Sequence, residues 1–463
     1  MKKNIQRPEE HIDRRTFMKG LGALGLSSVF PSTLSAAALD YDQIQFDPNI
    51  YNDNNAQTII VYLTGGAAEF AGNLTNLDEI NSASQNPYPL PSMTPTQNNC
   101  WLEAGGDSIE KLLANGDMNL FRTCFRTFDD SRSHGVCSSQ AQYGQATQGT
   151  SGIVTNIASI LYNKGAVTEP TANDEIGKNF PFVSMESTIS PLYAKGGIDL
   201  PSFLEPVIFD SKSAIKNPYA RSSSPLINRI LNTQTEETID NLLDTQATQT
   251  NTPGTIQDNF DKRAILAQYT DELNAIPLPE GVSYPAHNEY ADKLQLAMKL
   301  LIHNAHTKVV TIGAIGGLGG WDDHQNALAQ YSNRMKQLLS ALDAAVTHMN
   351  AAARTNINIV VFGEFGRNLN YNNAAGWDHG NNQNVYWIGG KDYMNQMGIV
   401  GETELYTTGE PDRLYNRPKN FGQEGESYHF QVFSIAATLY NIYGITNPEI
   451  LTDNNMPIDG LLS

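Results

Sequence analysis

The stretch Thr58-Ile59-Ile60-Val61-Tyr62-Leu63, closed by Thr64-Gly65-Gly66, decides the fold. It runs on β-branched and apolar residues with no polar alternation. A half-exposed strand would alternate, so this pattern predicts a strand buried on both faces, as in a parallel sheet covered by helices. Two other segments are written the same way. Lys308-Val309-Val310-Thr311-Ile312-Gly313 leads into the glycine-rich Gly316–Asn326 loop, and Ile357-Asn358-Ile359-Val360-Val361-Phe362 ends at Gly363-Glu364-Phe365-Gly366-Arg367. Between them Leu328, Tyr331, Met335, Leu338, Leu342, Val346 and Met349 recur at steps of three or four, which predicts a helix with one apolar stripe. Leu294, Met298, Leu301 and Ile302 do the same upstream. Strand–helix–strand alternation implies an α/β fold, a mainly parallel sheet sandwiched by helices. Ligands in such sheets bind beyond the carboxyl ends of the strands, where the polar clusters at Asp322 and Glu364 fall.

The chain has 463 residues, 40% hydrophobic and 17% charged, enough for a sizeable core in a globular protein. Its formal charge of −19 opposes binding to nucleic acid or to an anionic membrane surface. Asp13-Arg14-Arg15-Thr16-Phe17-Met18-Lys19 precedes an uncharged run that ends in Ser35-Ala36-Ala37-Ala38. This pattern predicts a twin-arginine signal peptide over residues 1–38, with the twin-arginine translocation machinery as partner. The glycines within that run, Gly20, Gly22 and Gly25, follow no strand and are not read as a dinucleotide site. Residues 39–463 are then one domain, periplasmic or extracellular, without stable membrane insertion because no other run is long enough to span a bilayer. A Ser-, Thr-, Asn- and Gln-rich stretch at about 200–285 reads as an insertion or cap within it. Cys100, Cys124 and Cys137 are odd in number and lack C-x-x-C spacing, which disfavours a zinc–thiolate site; pairing of Cys124 with Cys137 stays open.

Four polar clusters carry chemistry. Trp321-Asp322-Asp323-His324 and Trp377-Asp378-His379-Gly380 place carboxylates beside imidazoles, both good ligands for divalent ions. The alternative is turn chemistry, with Asp322 or Asp323 capping the helix that follows. Glu364 stands at a strand end beside Arg367, an arrangement that also suits a structural ion pair. Asp130-Ser131-Arg132-Ser133-His134-Gly135 adds hydroxyls and an imidazole. No G-x-S-x-G elbow, P-loop or H-E-x-x-H occurs, so those hydrolase and nucleotide classes lose support.

These same pieces resemble, in order, the exported bacterial family of domain of unknown function 1501, a family similar in fold to the alkaline phosphatase and sulfatase superfamily. They are the twin-arginine start, Ile59–Gly66, Arg132-Ser133-His134, Gly320–His324, Phe362–Arg367, Trp377–Gly380, Gly398–Glu402 and the closing segment around Ala436–Tyr440. The resemblance implies an alkaline-phosphatase-like domain that binds one or two divalent metals (zinc, manganese or calcium). Asp322, His324, Glu364, Asp378 and His379 would be the ligands, and Ser133 would lie near the nucleophile position. Ser133, His134 and Arg367 are the candidate catalytic residues, Arg367 as a fork for a substrate oxyanion. The implied activity is hydrolysis of phosphate or sulfate esters, or of a related anion. Three positions depart from the pattern: Ala67 and Ala68 where members carry an aspartate, leaving Glu69 nearest; Asp323 inside the Asp-Thr-His piece; and Phe365 where active phosphatases tend to place a histidine. These departures support the alternative, a non-catalytic exported binding or surface-assembly protein on a degenerate scaffold.

Overall fold

The computed structural model describes residues 39–83, 86–128, 131–147, 149–171, 173–186, 190–208, 265, 269–313, 320–407 and 413–463. The expected signal peptide and most of the expected insertion at 200–285 lie outside these residues. Strands β1 (Gln57–Leu63), β2 (Met118–Phe125), β3 (Phe182–Ser184), β4 (Val207–Ile208), β5 (Val309–Ile312), β6 (Ile357–Gly363), β7 (Asn382–Gly389) and β8 (Ile399–Val400) form one sheet. Its order is β4-β3-β5-β1-β6-β7-β2-β8. All neighbours pair parallel except β7, which is antiparallel to both β6 and β2. The three segments that announce the fold are therefore adjacent at its centre, as β5, β1 and β6.

The uninterrupted apolar writing of β1 has a direct cause. Every residue of β1 is buried, and its successive side chains enter different cores. Ile59, Val61 and Leu63 pack on one face with helices α6 (Glu289–His303) and α7 (Ala327–Ala351). Ile60 and Tyr62 pack on the other with α5 (Ile153–Asn163) and α8 (Phe433–Ile442). Helices α1 (Pro48–Asn54), α2 (Leu77–Ala83), α3 (Gly106–Ala114) and α4 (His134–Tyr143) precede these in the chain. The stripe on α7 is buried at Tyr331, Met335, Leu338, Leu342, Val346 and Met349, with Leu328 half-buried at its start. A two-stranded hairpin, β9 (Thr403–Thr407) and β10 (Leu414–Pro418), stands apart from the main sheet. Among the described residues no helix is long and apolar enough to cross a membrane. All three cysteines are buried thiols outside any disulfide.

Candidate metal centre

Neither Asp322 nor Asp323 caps a helix. Helix α7 begins at Ala327 behind Asn326, whose left-handed backbone (φ 47°) makes no side-chain cap bond. What fixes the Trp321–His324 loop instead is a set of buried anchors. Trp321 and Trp377 are both in the core, their rings 6.1 and 5.5 Å from Tyr331. Trp377 also donates its indole N–H to Tyr88 at 2.7 Å. Backbone bonds then stitch the loops together. Trp321 N donates to Thr64 O (3.0 Å), and Trp377 N to Asp323 O (2.8 Å). Gly380 N donates to Gly366 O (2.8 Å), and Asn368 N to Asp378 O (2.9 Å). The loops pack so closely that a Cβ at Gly376 would lie 2.0 Å from the His324 carbonyl carbon. Each Trp-Asp pair works by this division, the indole holding the loop down while the aspartate turns outward.

At the carboxyl end of β1 and β6, Asp322, His324 and His379 meet His134, the first residue of α4. One donor atom from each of the four lies within 4.8 Å of the others. The three rings share one orientation. His134 Nδ1 donates to Glu364 at 2.6 Å, His324 Nδ1 to Asp378 at 3.3 Å, and His379 Nδ1 to the Arg132 carbonyl at 2.6 Å. With a proton on Nδ1, a ring held this way would present Nε2 to the cluster as a ligand atom. Asp322 Oδ1 is 3.1 Å from Nε2 of His134, 3.1 Å from that of His324 and 4.0 Å from that of His379. The Nε2 atoms of His324 and His379 are 3.0 Å apart. At that distance the two nitrogens either share a proton or hold a cation between them. A tetrahedral ion with bonds of about 2.0–2.1 Å would separate its ligand atoms by roughly 3.3 Å, so this donor set fits a divalent ion.

Glu364 and Asp378 stand behind the rings and orient them, as carboxylates do behind metal-bound histidines. Glu364 is buried and also accepts from Gly65 N and from the Tyr62 hydroxyl, each at 3.2 Å. Arg367 is spent inside the protein. Its fully buried guanidinium donates to the carbonyls of Gly66 (2.7 Å), Trp377 (3.1 Å), Trp321 (3.3 Å) and Gly65, and to Asp322 at 2.6 Å. Its remaining Nη1 hydrogen faces His324 Nε2 at 3.4 Å, so no donor is left to form a fork for substrate. Ser133 is exposed at the N-cap of α4, and its neighbour His134 already uses both ring nitrogens in the cluster. Asp323 is buried against Arg334 and points away from the cluster. Phe365 sets an apolar ring 4.7 Å from His379 and 5.0 Å from His134, and supplies no donor.

Electrostatics fits this division. Burial works to raise the Asp322 pKa, but the Arg367 hydrogen bond and charge, with His134 and His324, hold it below the usual carboxylate range. The Glu364 hydrogen bond, against burial, raises His134. Burial, then Arg367 and His134, push His379 down to about 4, which keeps its ring neutral.

Glu69 is not among the four. It is buried with one oxygen bonded by Asn382 Nδ2 and the other without a partner, and burial pushes its pKa up to about 8, although Asn382 opposes the shift. Because the folded value lies above the ordinary 4.5, the native chain holds an extra proton between the two values. The Glu69 contribution to stability is therefore greatest below about pH 4.5 and falls as pH rises toward 8, by a few kcal/mol at ~1.4 kcal/mol per pKa unit. Urea titrations across pH should show this fall in the native chain and a flatter profile in Glu69→Gln. Parallel profiles would contradict a buried, protonated Glu69.

Three histidines and an aspartate converging at the carboxyl end of a mainly parallel α/β sheet define the class: an α/β protein with a cluster that could hold a metal ion. The chain belongs to the family described as Protein of unknown function (DUF1501), whose model matches residues 190–445, more than half of the sequence. His134 lies outside that match. No curated protein matches the chain. Among solved structures it is similar to Ps i-CgsB in complex with k-i-k-neocarrahexaose, at 10% identity and a TM-score of 0.36 over 88% of this chain and 75% of that one. It is also similar to the lipoteichoic acid synthase LtaP from Listeria monocytogenes, at 7% identity and a TM-score of 0.32 over 91% and 79%. A third is the soluble domain of lipooligosaccharide phosphoethanolamine transferase A from Neisseria meningitidis, at 11% identity and a TM-score of 0.31 over 87% and 94%.

Proposed function

We propose that this protein is an exported, metal-dependent hydrolase or transferase of anionic esters, phosphate esters foremost, on an alkaline-phosphatase-like scaffold. The single observation that carries the reading is the convergence of three histidine Nε2 atoms around one aspartate oxygen. His134, Asp322, His324 and His379 would hold the ion. Three imidazoles favour zinc or manganese, since calcium takes oxygen ligands. The chemistry such an ion supplies is Lewis acidity toward an ester oxygen and toward water. The chain's own groups do the rest. Glu364, Asp378 and the Arg132 carbonyl fix the rings, Arg367 neutralises Asp322, and Phe365 keeps one wall apolar. Ser133 is the exposed hydroxyl beside the cluster and the candidate nucleophile.

The alternative is a metal-binding scaffold without turnover, favoured by Phe365, an apolar ring beside His134 and His379 that offers no donor for a second ion. One preparation separates the two. Protein exported through its own residues 1–38 should carry about one zinc or manganese per chain, and should hydrolyse an aryl phosphate or aryl sulfate faster than its metal-stripped form. Ser133→Ala should slow that reaction without loss of metal. Metal without turnover on any such ester supports the scaffold reading, and absence of metal defeats both. In the same cells Arg14→Lys with Arg15→Lys should leave uncleaved precursor in the cytoplasm; normal export of that variant would sink the twin-arginine route.

A further inference from the structure

We infer that Arg132 is the anion-recognition residue of this site and that it selects a doubly charged tetrahedral oxyanion, as in a phosphate monoester. The inference rests on the metal-dependent reading above and names its substrate class.

Three arginines are tied to the loops that carry the cluster, and they differ in what holds them. Arg367 is buried and pairs with Asp322 at 2.6 Å. Arg413 pairs with Asp378 at 3.5 Å. Arg132 is half-buried and anchored only by neutral groups. Its Nε donates to the Asn381 amide oxygen at 3.0 Å and its Nη1 to the Tyr415 hydroxyl at 3.1 Å, while its Cζ sits 5.0 Å from the Tyr415 ring centroid. Among the described residues it has no acidic partner. A guanidinium has five N–H donors, so these contacts leave several free. Tyr415 is itself buried, which makes the anchor rigid.

Chain connectivity ties this cation to the cluster. Arg132 is two residues before His134, and its carbonyl accepts the His379 Nδ1–H at 2.6 Å. Asn381, which holds its Nε, is two residues after His379. A cation fixed by neutral partners keeps its charge for a ligand, whereas one already paired does not. The local charges support the same ligand. Summed over the site, three carboxylates (Asp322, Glu364 and Asp378) and three guanidiniums (Arg367, Arg413 and Arg132) cancel, although only Arg367 and Arg413 are paired with one of them. A divalent ion would then leave two positive charges to be met. A phosphate monoester supplies two negative charges once its second proton is lost, and a sulfate monoester supplies one.

The test uses two ligands of one shape and different charge, methylphosphonate and methanesulfonate, titrated calorimetrically into metal-loaded protein above about pH 8, where the second phosphate-type proton is off. The native chain should bind methylphosphonate more tightly. Arg132→Gln should weaken that binding by about tenfold to a hundredfold, the usual loss for hydrogen bonds to a charged partner, with metal content and urea midpoint unchanged. Arg132→Lys should recover only part of it, because an ammonium lacks the planar fork. Equal affinity in native and Arg132→Gln protein would overturn the assignment, as would equal binding of the two ligands or binding of neither. Should metal analysis find no ion, the metal reading fails alone. On metal-free protein the comparison of native with Arg132→Gln still decides whether Arg132 binds the anion, since its anchors do not depend on the metal, while the preference for two charges over one is read only with the metal bound.

Discussion

Protein carrying His324→Ala together with His379→Ala should leave purification with less than about a tenth of an ion per chain, where the native protein should hold about one. The two imidazoles face each other at 3.0 Å and contribute half of the four-donor set. Neither supports the core: their side chains are 41% and 22% exposed, and their loops are held by Trp321 and Trp377 beneath. The metal-free variant should therefore unfold within about 1 kcal/mol of metal-free native protein, as changes at partly exposed positions do. Elemental analysis and urea titration measure the two quantities on one sample. Native metal content in the variant would refute the assignment. Glu364→Gln separates holding from orienting. It should keep the stoichiometry and weaken affinity by about tenfold to a hundredfold, as losses of groups behind a metal-bound histidine do. If it emptied the site outright, Glu364 would be a ligand.

Arg367 is expected to behave in the opposite way. Arg367→Ala should cost about 3–5 kcal/mol of stability, because it removes a buried cation and strands its partners. The carbonyls of Gly65, Gly66, Trp321 and Trp377 would lose a donor at once, and Asp322 would keep an unmatched charge. Arg367→Lys should recover little, since a single ammonium cannot reach oxygens presented from three separate loops. The measurement is the urea midpoint of metal-free protein. A loss confined to activity, with the midpoint unchanged, would return Arg367 to the role of a substrate fork.

The centre of the fold was legible because burial on both faces leaves a strong mark. Thr58–Leu63 carries no polar alternation, and the paired cores on either side of β1 explain why none is tolerated. The same holds for β5, β6 and the stripe on α7. Less was legible at the margins. β7 runs antiparallel to its neighbours, and nothing in Asn382–Gly389 says so, because direction depends on the path of the connecting chain.

Of the site, the sequence by itself determined the chemistry available: aspartates, histidines and a glutamate in glycine-flanked loops behind buried strands. Parallel strands present their carboxyl ends on one edge, so meeting there followed from the pattern. Tertiary structure alone decided the division of labour. His134 comes from a loop after β2, with no ligand spacing to mark it, yet its Nε2 turns toward Asp322. Glu364 and Asp378 have the ligand chemistry but face Nδ1 atoms and stand one layer back. Arg367 and Arg132 are the same residue type in similar polar motifs. One is consumed by carbonyls and Asp322, while the other is held by an amide and a phenol. Residue type and spacing fix what a side chain can donate or accept; only packing fixes which atom faces which, and therefore which of these groups is left free to act.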